Sequence, residues 1–415
     1  MFETTSKTLP ITKDMVRLAY RKVRSNKGSA GVDKESLEDF QKDLSGNLYK
    51  LWNRMASGSY FPKAVKEVAI PKANGGTRKL GIPTVSDRIA QQVIKTYLEP
   101  RLEMEFSENL YGYRPIKNAH QALEQVRKNV REYAWVLDID IKNFFDEVDH
   151  DLLTKALDKH VEERWVKFYI KRWLETPIQK ADGSMEAKQG KGTPQGGVIS
   201  PLLANLYLHY VLDKWMELKY PEVSFVRYAD DIVVHCNTEE QAKEILESIR
   251  ERMAECRLRM NEEKTKIVYC VDYRRKKNHY QKQFDFLGFS FKPMTCLNKD
   301  KGLFTVYDCI ISQKSQTKIN EKWKELGFYR KSTLSMQQIA EMVNPIMRGV
   351  INYYGKFNYW RLRRVAEQFH YRLARWALKK YKRFKNSFKK AYRWIKEIKS
   401  SYEYLFCHWK LFKYL

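Results

Sequence analysis

The sequence predicts an α+β fold in which a sheet-rich centre is flanked by helical segments. β-Branched and aromatic runs separated by short polar turns occur at 65–82 and 224–236, a pattern typical of antiparallel hairpins. Apolar residues recur at helical spacing in 11–60 and again from residue 315 onward. A chain of 415 residues, 43% of them hydrophobic, is long enough for two or three domains with their own cores.

The charge balance indicates a polyanionic partner. The chain has 77 Lys and Arg against 50 Asp and Glu, a net charge of +27, which favours nucleic acid. Six cysteines without CxxC spacing predict neither a zinc knuckle nor a disulfide framework, and they suit a reducing compartment. The N-terminus lacks an apolar leader and no run approaches 18 apolar residues, so we expect a cytoplasmic protein without a membrane partner.

Basic residues flank the turn of the first hairpin. Residues 11–60 read as helices, and 65–82 read as a strand, a turn at Asn74-Gly75-Gly76 and a returning strand. Lys72 and Arg78 straddle this turn and could both reach an anion beneath it. Taken alone, two solvated basic residues on a hairpin are the simpler interpretation.

Acidic residues lie where two β-rich runs end. The run 135–141 carries Asp138 and Asp140 on one face, and Asp230 and Asp231 occupy the turn of the second hairpin. Two close carboxylates repel each other unless a cation lies between them, which indicates a metal site. A solvated turn is the alternative, because Asp is a common turn residue. Asp140 is the natural third carboxylate, because a charge ending an apolar strand is costly unless it is solvated or bound to metal.

Such a trio would consist of hard oxygen ligands with no His or Cys nearby, which fits Mg²⁺ better than Zn²⁺. Strand ends that converge in a palm-type sheet could hold two ions roughly 3.5–4 Å apart. Between the acidic runs, the loop before Pro201 contains several glycines that let backbone approach a ligand around Gln195. A plain connector is the alternative for this loop.

The C-terminal part changes in character. An amphipathic helix is predicted at 239–259 and an aromatic strand pair at 284–291, with a domain boundary around 293–313. The remainder reads helical from residue 315. Residues 379–399 hold ten Lys and Arg and one acid, which predicts one amphipathic basic helix. Its aromatic stripe at helical spacing comprises Tyr381, Phe384, Phe388 and Tyr392.

Seven sequence blocks occur in a recognisable order: IPKANGGTRKLGIPTVSDRIAQQV, SENLYGYRP, WVLDIDIKNFFDEVDH, GTPQGGVISPLLANLYL, RYADDIVV, EEKTKIV and FDFLGFSF. The segment NPIMRGVINYYGKF follows them. On these motifs the chain resembles a bacterial group II intron-encoded reverse transcriptase/maturase over nearly its whole length. A lone YADD recurs by chance, whereas seven blocks in family order do not.

The resemblance implies a right-hand polymerase fold, with fingers and a palm built on an antiparallel sheet and then an all-helical thumb/X domain and a short basic helical tail. The implied domains are an N-terminal extension at 1–60, the fingers and palm at 61–295, the thumb/maturase X domain at 296–378 and a DNA-binding region at 379–415. The implied activity is RNA-directed DNA polymerisation, transferring nucleotides from dNTPs onto a primer 3′-OH. Binding of intron RNA to assist splicing and mobility is also implied.

The resemblance also implies roles for individual residues. Two Mg²⁺ ions would be held by Asp140, Asp230, Asp231 and the carbonyl of Ile141. The motif selects Asp140 over Asp138, because the family's aromatic gate stands five residues after the catalytic Asp, which here is Phe145. A ring at that place would clash with a ribose 2′-OH and select dNTPs.

The implied nucleotide-binding residues are Lys72, Arg78, Arg114, Phe145, Gln195, Gly196 and Lys264. Lys72 and Arg78 match the residues that clamp the triphosphate, which reverses the interpretation made from the hairpin alone. Lys264 could give a proton to the departing pyrophosphate, and a structural lysine is the alternative. The implied primer grip is Phe286, Leu287 and Gly288, and the implied contacts to nucleic acid in the basic helix are Lys379, Lys380, Lys382 and Arg383.

The implied partners are an RNA template, a DNA or RNA primer, dNTPs, group II intron RNA and target DNA. Many relatives carry a further Cys/His-containing nuclease domain, and none follows before Leu415, so we expect no target-strand cleavage by this chain. Two alternatives remain: a free-standing group II-like enzyme in defence or repair, and a splicing-only maturase. The intact carboxylates, gate and Lys/Arg pair argue against the second.

Overall fold

The computed structural model describes residues 8–71, 76–297 and 302–412. The chain is 53% helical and 16% strand, which confirms the α+β class. The helices are α1 Lys13–Asn26, α2 Leu37–Lys42, α3 Leu44–Ala56, α4 Val85–Glu105, α5 Ala119–Glu132, α6 Phe144–Glu147, α7 His150–Asp158, α8 Arg164–Glu175, α9 Ser200–Leu208, α10 Lys214–Lys219, α11 Glu239–Glu255, α12 Gln313–Leu326, α13 Met336–Asn358, α14 Arg363–Lys380 and α15 Phe388–Ser401. The strands are β1 Val65–Pro71, β2 Thr77–Ile82, β3 Trp135–Asp140, β4 Ile178–Gln179, β5 Met185–Glu186, β6 Phe225–Tyr228, β7 Asp231–Cys236, β8 Lys266–Tyr269, β9 Phe284–Phe286, β10 Phe289–Leu297 and β11 Leu303–Ile311.

The chain divides into two compact units. The first comprises the residues up to 118 with 137–234 and 239–265, and the second comprises 119–136, 235–238 and 266–415. The predicted domain boundaries at 60/61 and 378/379 stay predictions. The boundary predicted at 295/296 falls inside β10, which pairs with β11 over its whole length, so the backbone has no break there.

In the first unit, two antiparallel hairpins carry the predicted functional residues. Strands β1 and β2 pair from Lys66 with Ile82 to Pro71 with Thr77, as the β-branched residues on either side of the predicted turn indicated. Strands β6 and β7 pair from Phe225 with Val234, and β7 also lies beside β3. The apolar side chains of β6 and β7 are almost completely buried, so the polar turn between these strands is fixed to a rigid sheet.

In the second unit, strands β9, β10 and β11 form an antiparallel sheet, and helices α12 to α15 build one hydrophobic core. The core runs from Ile311 to Phe412 and includes the fully buried Trp323, Trp376 and Trp409. The proposed thumb segment and the basic C-terminal segment therefore share one core. In the described ranges, no helix is both long and apolar enough to cross a membrane. All six cysteines are free thiols.

The single basic helix predicted at 379–399 is wrong. Helix α14 ends at Lys380, and the backbone reaches left-handed φ values of 45° at Lys385 and 59° at Asn386 before α15 begins. Ser387 caps α15, because its side chain accepts a hydrogen bond from Lys390 N. The predicted aromatic stripe does face the protein, since Phe384 is buried and its three companions pack against the core.

Candidate active site

The turn between β6 and β7 places two aspartates side by side at a strand end. Tyr228 pairs with Asp231, and the central residues are Ala229 and Asp230. Ala229 has a φ of 58°, a left-handed conformation that disfavours a residue with a Cβ atom. Such a conformation persists only where surrounding contacts impose it. Arg227, two residues before Ala229, supplies such contacts.

Arg227 is completely buried beneath the turn. Its Nε donates to Asp213 Oδ1 at 2.7 Å and its Nη2 makes a second, shorter contact to the same carboxylate. Its Nη1 donates to the carbonyl of Ala229 at 3.1 Å and to Asn205 Oδ1 at 3.3 Å. Burial alone would raise the pKa of Asp213, but the charge and hydrogen bonds of Arg227 hold it below its usual value. These guanidinium contacts, the Arg227 fork, tie the turn to α9 and to the π-helical turn His209–Asp213 that follows α9.

The loop that precedes α5 closes on the same turn. Arg227 N donates to the carbonyl of Asn109, and Tyr111 N donates to the carbonyl of Arg227, both at 2.8 Å. A Cβ atom at Gly112 would lie 2.5 Å from Ala229 N, so a side chain there would displace the turn. Asn205 holds this glycine in place by donating from Nδ2 to its carbonyl at 2.8 Å. The YGYRP motif therefore supports the turn through its backbone.

The three predicted carboxylates act on one another electrostatically. Burial raises the pKa of Asp230, and the negative charge of Asp140 raises it further. Burial, then the charges of Asp230 and Asp140, raise the pKa of Asp231 to about 6, although Asp231 keeps accessible surface. Lys264 Nζ lies 3.0 Å from Asp140 Oδ2 and gives partial compensation. The structure thus places Asp140 near enough to Asp230 and Asp231 to raise the pKa of both, and the metal-binding role of the three stays a prediction.

The donor set fits a divalent cation. Burial, and then repulsion among the carboxylates, raises the pKa values of Asp230 and Asp231, and a metal ion would neutralise the negative charge that they and Asp140 carry. Lys142 N donates to Arg259 O and Asn261 N donates to Asp140 O, each at 2.8 Å. These two bonds lie on either side of Ile141, so the carbonyl of Ile141 itself points away from the neighbouring segment 259–261. Among the described residues, no group of three or more His, Cys, Asp or Glu side chains is placed to hold a metal ion, and Lys264 contacts one carboxylate of the trio.

The loop after Gly192 is hydrogen-bonded to strand β2 of the basic hairpin. Arg78 Nε donates to Gln195 Oε1 at 2.8 Å, and Gly81 N donates to the carbonyl of Gln195 at 2.7 Å. Gly196 has a φ of 126°, and a Cβ atom there would lie 2.4 Å from Gly81 O. The structure therefore brings Arg78, Gln195 and Gly196 together along β2. Lys72 lies outside the described residues.

The predicted gate residue Phe145 belongs to the same loop system. It lies in α6, is buried, and packs edge-on against Phe144 with ring centroids 5.5 Å apart. Its carbonyl accepts a hydrogen bond from Thr193 N at 2.7 Å. Beside it, burial raises the pKa of Asp146, and a hydrogen bond from Gln195 counteracts that shift. The gate is thus connected to the loop that holds Arg78.

Arg114 is placed differently from the expectation. Its Nε pairs with Glu103 Oε1 at 2.8 Å, and its remaining nitrogens donate to backbone carbonyls, including that of Ser107 at 2.8 Å. The side chain is 3% exposed. These contacts give Arg114 a structural role in the loop before α5.

In the second unit, the predicted primer grip is a tight turn between β9 and β10. Leu287 and Gly288 have φ values of 47° and 81°, and positive φ at both central residues is typical of a two-residue type I′ turn. The Tyr353 hydroxyl on α13 donates to the carbonyl of Leu287 at 2.9 Å. The carbonyl of Gly288 accepts from Ser315 Oγ, also at 2.9 Å. Phe286, which precedes the turn, is buried, so the grip is fixed to the helices of its own unit.

The four basic residues predicted to contact nucleic acid differ in their surroundings. Lys379 and Lys382 are exposed. Lys380 Nζ donates to the carbonyls of Ser332 and Leu334 at 3.1 and 2.8 Å, so it closes a loop within its unit. The guanidinium of Arg383 lies 4.9 Å from the ring centroid of Trp394 and stays exposed.

Sequence reasoning missed Arg227 and its partner Asp213. The available signal was an arginine inside the apolar run of β6, since an interior cation requires a buried partner. The partner itself lies 14 residues earlier, in a helical segment whose charge pattern does not single it out.

An acidic trio at strand ends, with a basic hairpin whose arginine is held by a glycine-containing loop, is the arrangement of a nucleotide polymerase. Comparison with known proteins agrees. The reverse transcriptase (RNA-dependent DNA polymerase) family matches residues 70–291, and the group II intron, maturase-specific domain matches residues 316–394. The first match covers more than half of the chain.

Individual relatives include an intron-encoded protein. Protein YkfC of Escherichia coli (strain K12) is 31% identical over 294 residues, covering 61% of this chain and 76% of YkfC. Group II intron-encoded protein LtrA of Lactococcus lactis subsp. cremoris is 32% identical over 206 residues, covering 49% of this chain and 33% of LtrA. The chain thus spans about a third of LtrA. A telomerase structure from Candida albicans aligns with a TM-score of 0.46 and 11% identity over 91% of this chain and 68% of that one, too distant to add to the assignment.

The chain belongs to the reverse transcriptase family, and it also carries a group II intron maturase-specific domain. Membership confirms the right-hand polymerase fold and places the chain among RNA-directed DNA polymerases. Reverse transcriptases as a family use divalent metal ions.

The raised pKa of Asp231 predicts a pH-dependent effect of Asp231→Asn in metal-free protein. The folded state holds this proton more tightly than the unfolded chain, whose Asp titrates near pKa ~3.9. The free energy of unfolding therefore falls as pH rises from about 4 to about 6 through this group. Removing the carboxylate should raise Tm at about pH 8 and change it less at about pH 4.5.

Thermal melts with EDTA at both pH values measure this effect. Asp182→Asn is the matched control, because hydrogen bonds from Ser184 lower the pKa of Asp182 and its substitution should not raise Tm at the higher pH. An equal change for Asp231→Asn at both pH values would contradict the raised pKa of Asp231 that burial and the neighbouring carboxylates produce.

The Arg227 fork predicts that Arg227→Lys impairs catalysis beyond its effect on stability. Lysine keeps the charge but cannot contact Asp213 and the Ala229 carbonyl through a planar fork. The aspartates should then shift, and a displacement on the order of 1 Å costs roughly 100-fold in rate. Primer extension at saturating Mg²⁺, at a temperature where the variant is folded, measures kcat.

Arg275→Lys serves as the control for Arg227→Lys. Arg275 also pairs with a buried aspartate, Asp272, and donates to the carbonyl of Val130 within the second unit. Arg275→Lys should lower Tm without a matching loss of kcat. If both variants lose stability and both keep kcat, Arg227 serves only the core.

Proposed function

We propose that this chain elongates a primer 3′-OH with dNTPs on an RNA template at Asp140, Asp230 and Asp231, and that it also binds group II intron RNA. The observation that supports this proposal most directly is the electrostatic coupling of the three carboxylates. The sharing of both matched domains with intron-encoded relatives supports the RNA partner.

In the proposed reaction, two bound Mg²⁺ ions would activate the 3′-OH and neutralise the triphosphate. The chain's own residues hold the acidic trio in place: Arg227 fixes the turn, and Gly112 allows the loop beneath it to approach closely. Because Lys264 contacts Asp140, its ammonium is available to balance charge or to supply a proton to pyrophosphate.

The incoming nucleotide is proposed to lie along β2 and the Gln195 loop. Arg78 would contact the triphosphate, oriented by its hydrogen bond to Gln195. Lys72, on the same hairpin, is proposed to assist. The backbone at Gly196 would pass beneath the new base pair, where its left-handed φ excludes larger residues.

Further parts of the proposal concern longer-range partners. Phe286, Leu287 and Gly288 would hold the primer end. The exposed Lys379, Lys382 and Arg383 would contact the backbone of intron RNA or target DNA. Six free thiols suit a cytoplasmic location, which is part of the proposal.

A splicing-only maturase is the second candidate, favoured by the maturase-specific match at residues 316–394. It would not require a carboxylate trio whose charge calls for a cation. Polymerisation therefore remains the principal proposal, with RNA binding beside it.

Asp230→Asn is predicted to abolish primer extension on an RNA template while RNA binding stays nearly unchanged, because the lost charge is local. Extension of a labelled primer with Mg²⁺ and dNTPs, together with filter binding of the template, measures both properties. Asp158→Asn, at the end of α7, is the control and should extend primers normally. Near-normal extension by Asp230→Asn would refute the two-metal assignment.

Phe145→Ala is predicted to raise the use of rNTPs relative to dNTPs, because removal of the ring opens space for a 2′-OH. The ratio of kcat/KM for the two nucleotide types measures this selectivity. Phe144→Ala, which removes the ring packed against the gate, should destabilise the protein without a comparable change in the ratio. An unchanged ratio in Phe145→Ala would show that this ring serves only the core.

A further inference from the structure

A cavity of about 490 Å³ in the second unit is strongly basic. It lies between the β10–β11 hairpin and the 3₁₀ turn Tyr359–Leu362 that joins α13 to α14. Its polar lining includes Lys292, Arg361, Arg363, Arg364 and Gln316, and none of the described residues that line it is acidic. We call it the Trp360 pocket, after the aromatic residue at its edge.

The charge of the pocket is poorly neutralised by the chain itself. Three arginines fall within residues 361–364, at the start of α14, where the helix macrodipole disfavours cations. The first turn of α14 contains no acidic residue. Arg363 pairs with Glu367 at 2.9 Å, but both side chains are largely exposed and such a pair contributes little. The Nε atom of Arg361 is enclosed and has no hydrogen-bond partner among the described residues. An anion bound here would relieve this repulsion.

An aromatic surface adjoins these cations. Trp360 is 50% exposed, and the guanidinium carbon of Arg361 lies 4.0 Å from its ring centroid. Half of the indole surface is therefore accessible to a ligand. An aromatic ring beside stacked arginine is a platform on which an unpaired base can stack. Paired bases in a duplex are already stacked, so they offer no free face to such a ring.

We propose that the Trp360 pocket binds a single-stranded segment of nucleic acid, with one base stacked at Trp360 and adjacent phosphates on Arg361, Arg364 and Lys292. The cavity volume is in the range that holds a small ligand or one nucleotide. The proposal uses none of the residues assigned to nucleotide addition. It rests on the proposed function only in taking nucleic acid as the partner, because RNA and DNA share this chemistry.

The test measures binding of the full chain to short labelled oligouridylate and oligothymidylate by fluorescence anisotropy. Trp360→Ala should weaken binding by about tenfold, and Trp360→Phe should retain most of it, because phenylalanine still stacks. Arg364→Gln should reduce the slope of log K against log salt by about 0.7, the value for one phosphate contact on a single strand. Tyr404→Ala is the matched control: Tyr404 is 74% exposed beside Lys410 in the same unit, and its loss should change nothing.

The outcomes separate the possible sources of the ligand. If Trp360→Ala loses affinity for oligouridylate alone, the pocket binds RNA. If it loses affinity for both oligonucleotides, the pocket binds either kind of single strand. Wild-type affinity of Trp360→Ala for both would overturn the proposal, and so would a loss confined to a duplex. Melting curves confirm that each variant is folded, and Arg361→Gln, which leaves the indole in place, repeats the test if Trp360→Ala is not.

Primer extension distinguishes this proposal from the proposed function. If the wild type extends primers and Trp360→Ala binds single strands normally, the pocket is refuted and the polymerase assignment stands. If the wild type does not extend primers but Trp360→Ala still loses single-strand binding, the pocket stands and the polymerase assignment fails.

Discussion

The buried ion pair between Arg227 and Asp213 is the interaction on which the candidate active site depends. The left-handed conformation at Ala229 costs about 1–2 kcal/mol, and the Arg227 fork offsets this through the Ala229 carbonyl. A buried ion pair is seldom more stabilising than a well-packed apolar pair, because both charges lose their hydration. Its value here is geometric: an apolar pair could fill the same space without fixing the direction of two adjacent aspartates.

The same logic applies to the loop at Gln195. A side-chain hydrogen bond to Arg78 and a backbone hydrogen bond from Gly81 hold it against β2, and Gly196 lets the two backbones meet. The carbonyl of Phe145 bonds to this loop as well. The residue proposed to contact the triphosphate and the residue proposed to read the sugar are therefore positioned by one short segment, so a change in that segment would affect both.

Hairpins were predictable because their signals are local. β-Branched and aromatic residues around a glycine or aspartate turn predicted β1–β2 and β6–β7 almost to the residue. The carboxylate trio was predictable for a related reason, since charge at the end of an apolar strand is costly without a partner. The break in the basic helix was not, because the aromatic spacing continues through 381–387 and only the left-handed Lys385 and Asn386 interrupt it. The Asn-Ser pair before α15 was the overlooked cap signal.

Contacts between distant residues set the limit of the sequence argument. A motif placed Arg114 at the nucleotide, but only coordinates show its guanidinium engaged by Glu103 and by backbone carbonyls. Conversely, no spacing rule joins Arg227 to Asp213. Long-range pairs of this kind follow from packing, and a single sequence records the two residues without recording that they meet.

Uncompensated charge distinguishes the functional surfaces of this chain from its structural ones. Several buried charges of the described residues have partners of opposite sign, as in the pairs of Arg127 with Asp308 and of Arg275 with Asp272. The acidic trio and the arginines around Trp360 are instead crowded with like charges, and each would be stabilised by a ligand of opposite sign. A folded chain retains such repulsion at a cost to its own stability. The proposed ligands of these two places are accordingly of opposite sign, a cation at the acidic trio and a polyanion at the Trp360 pocket.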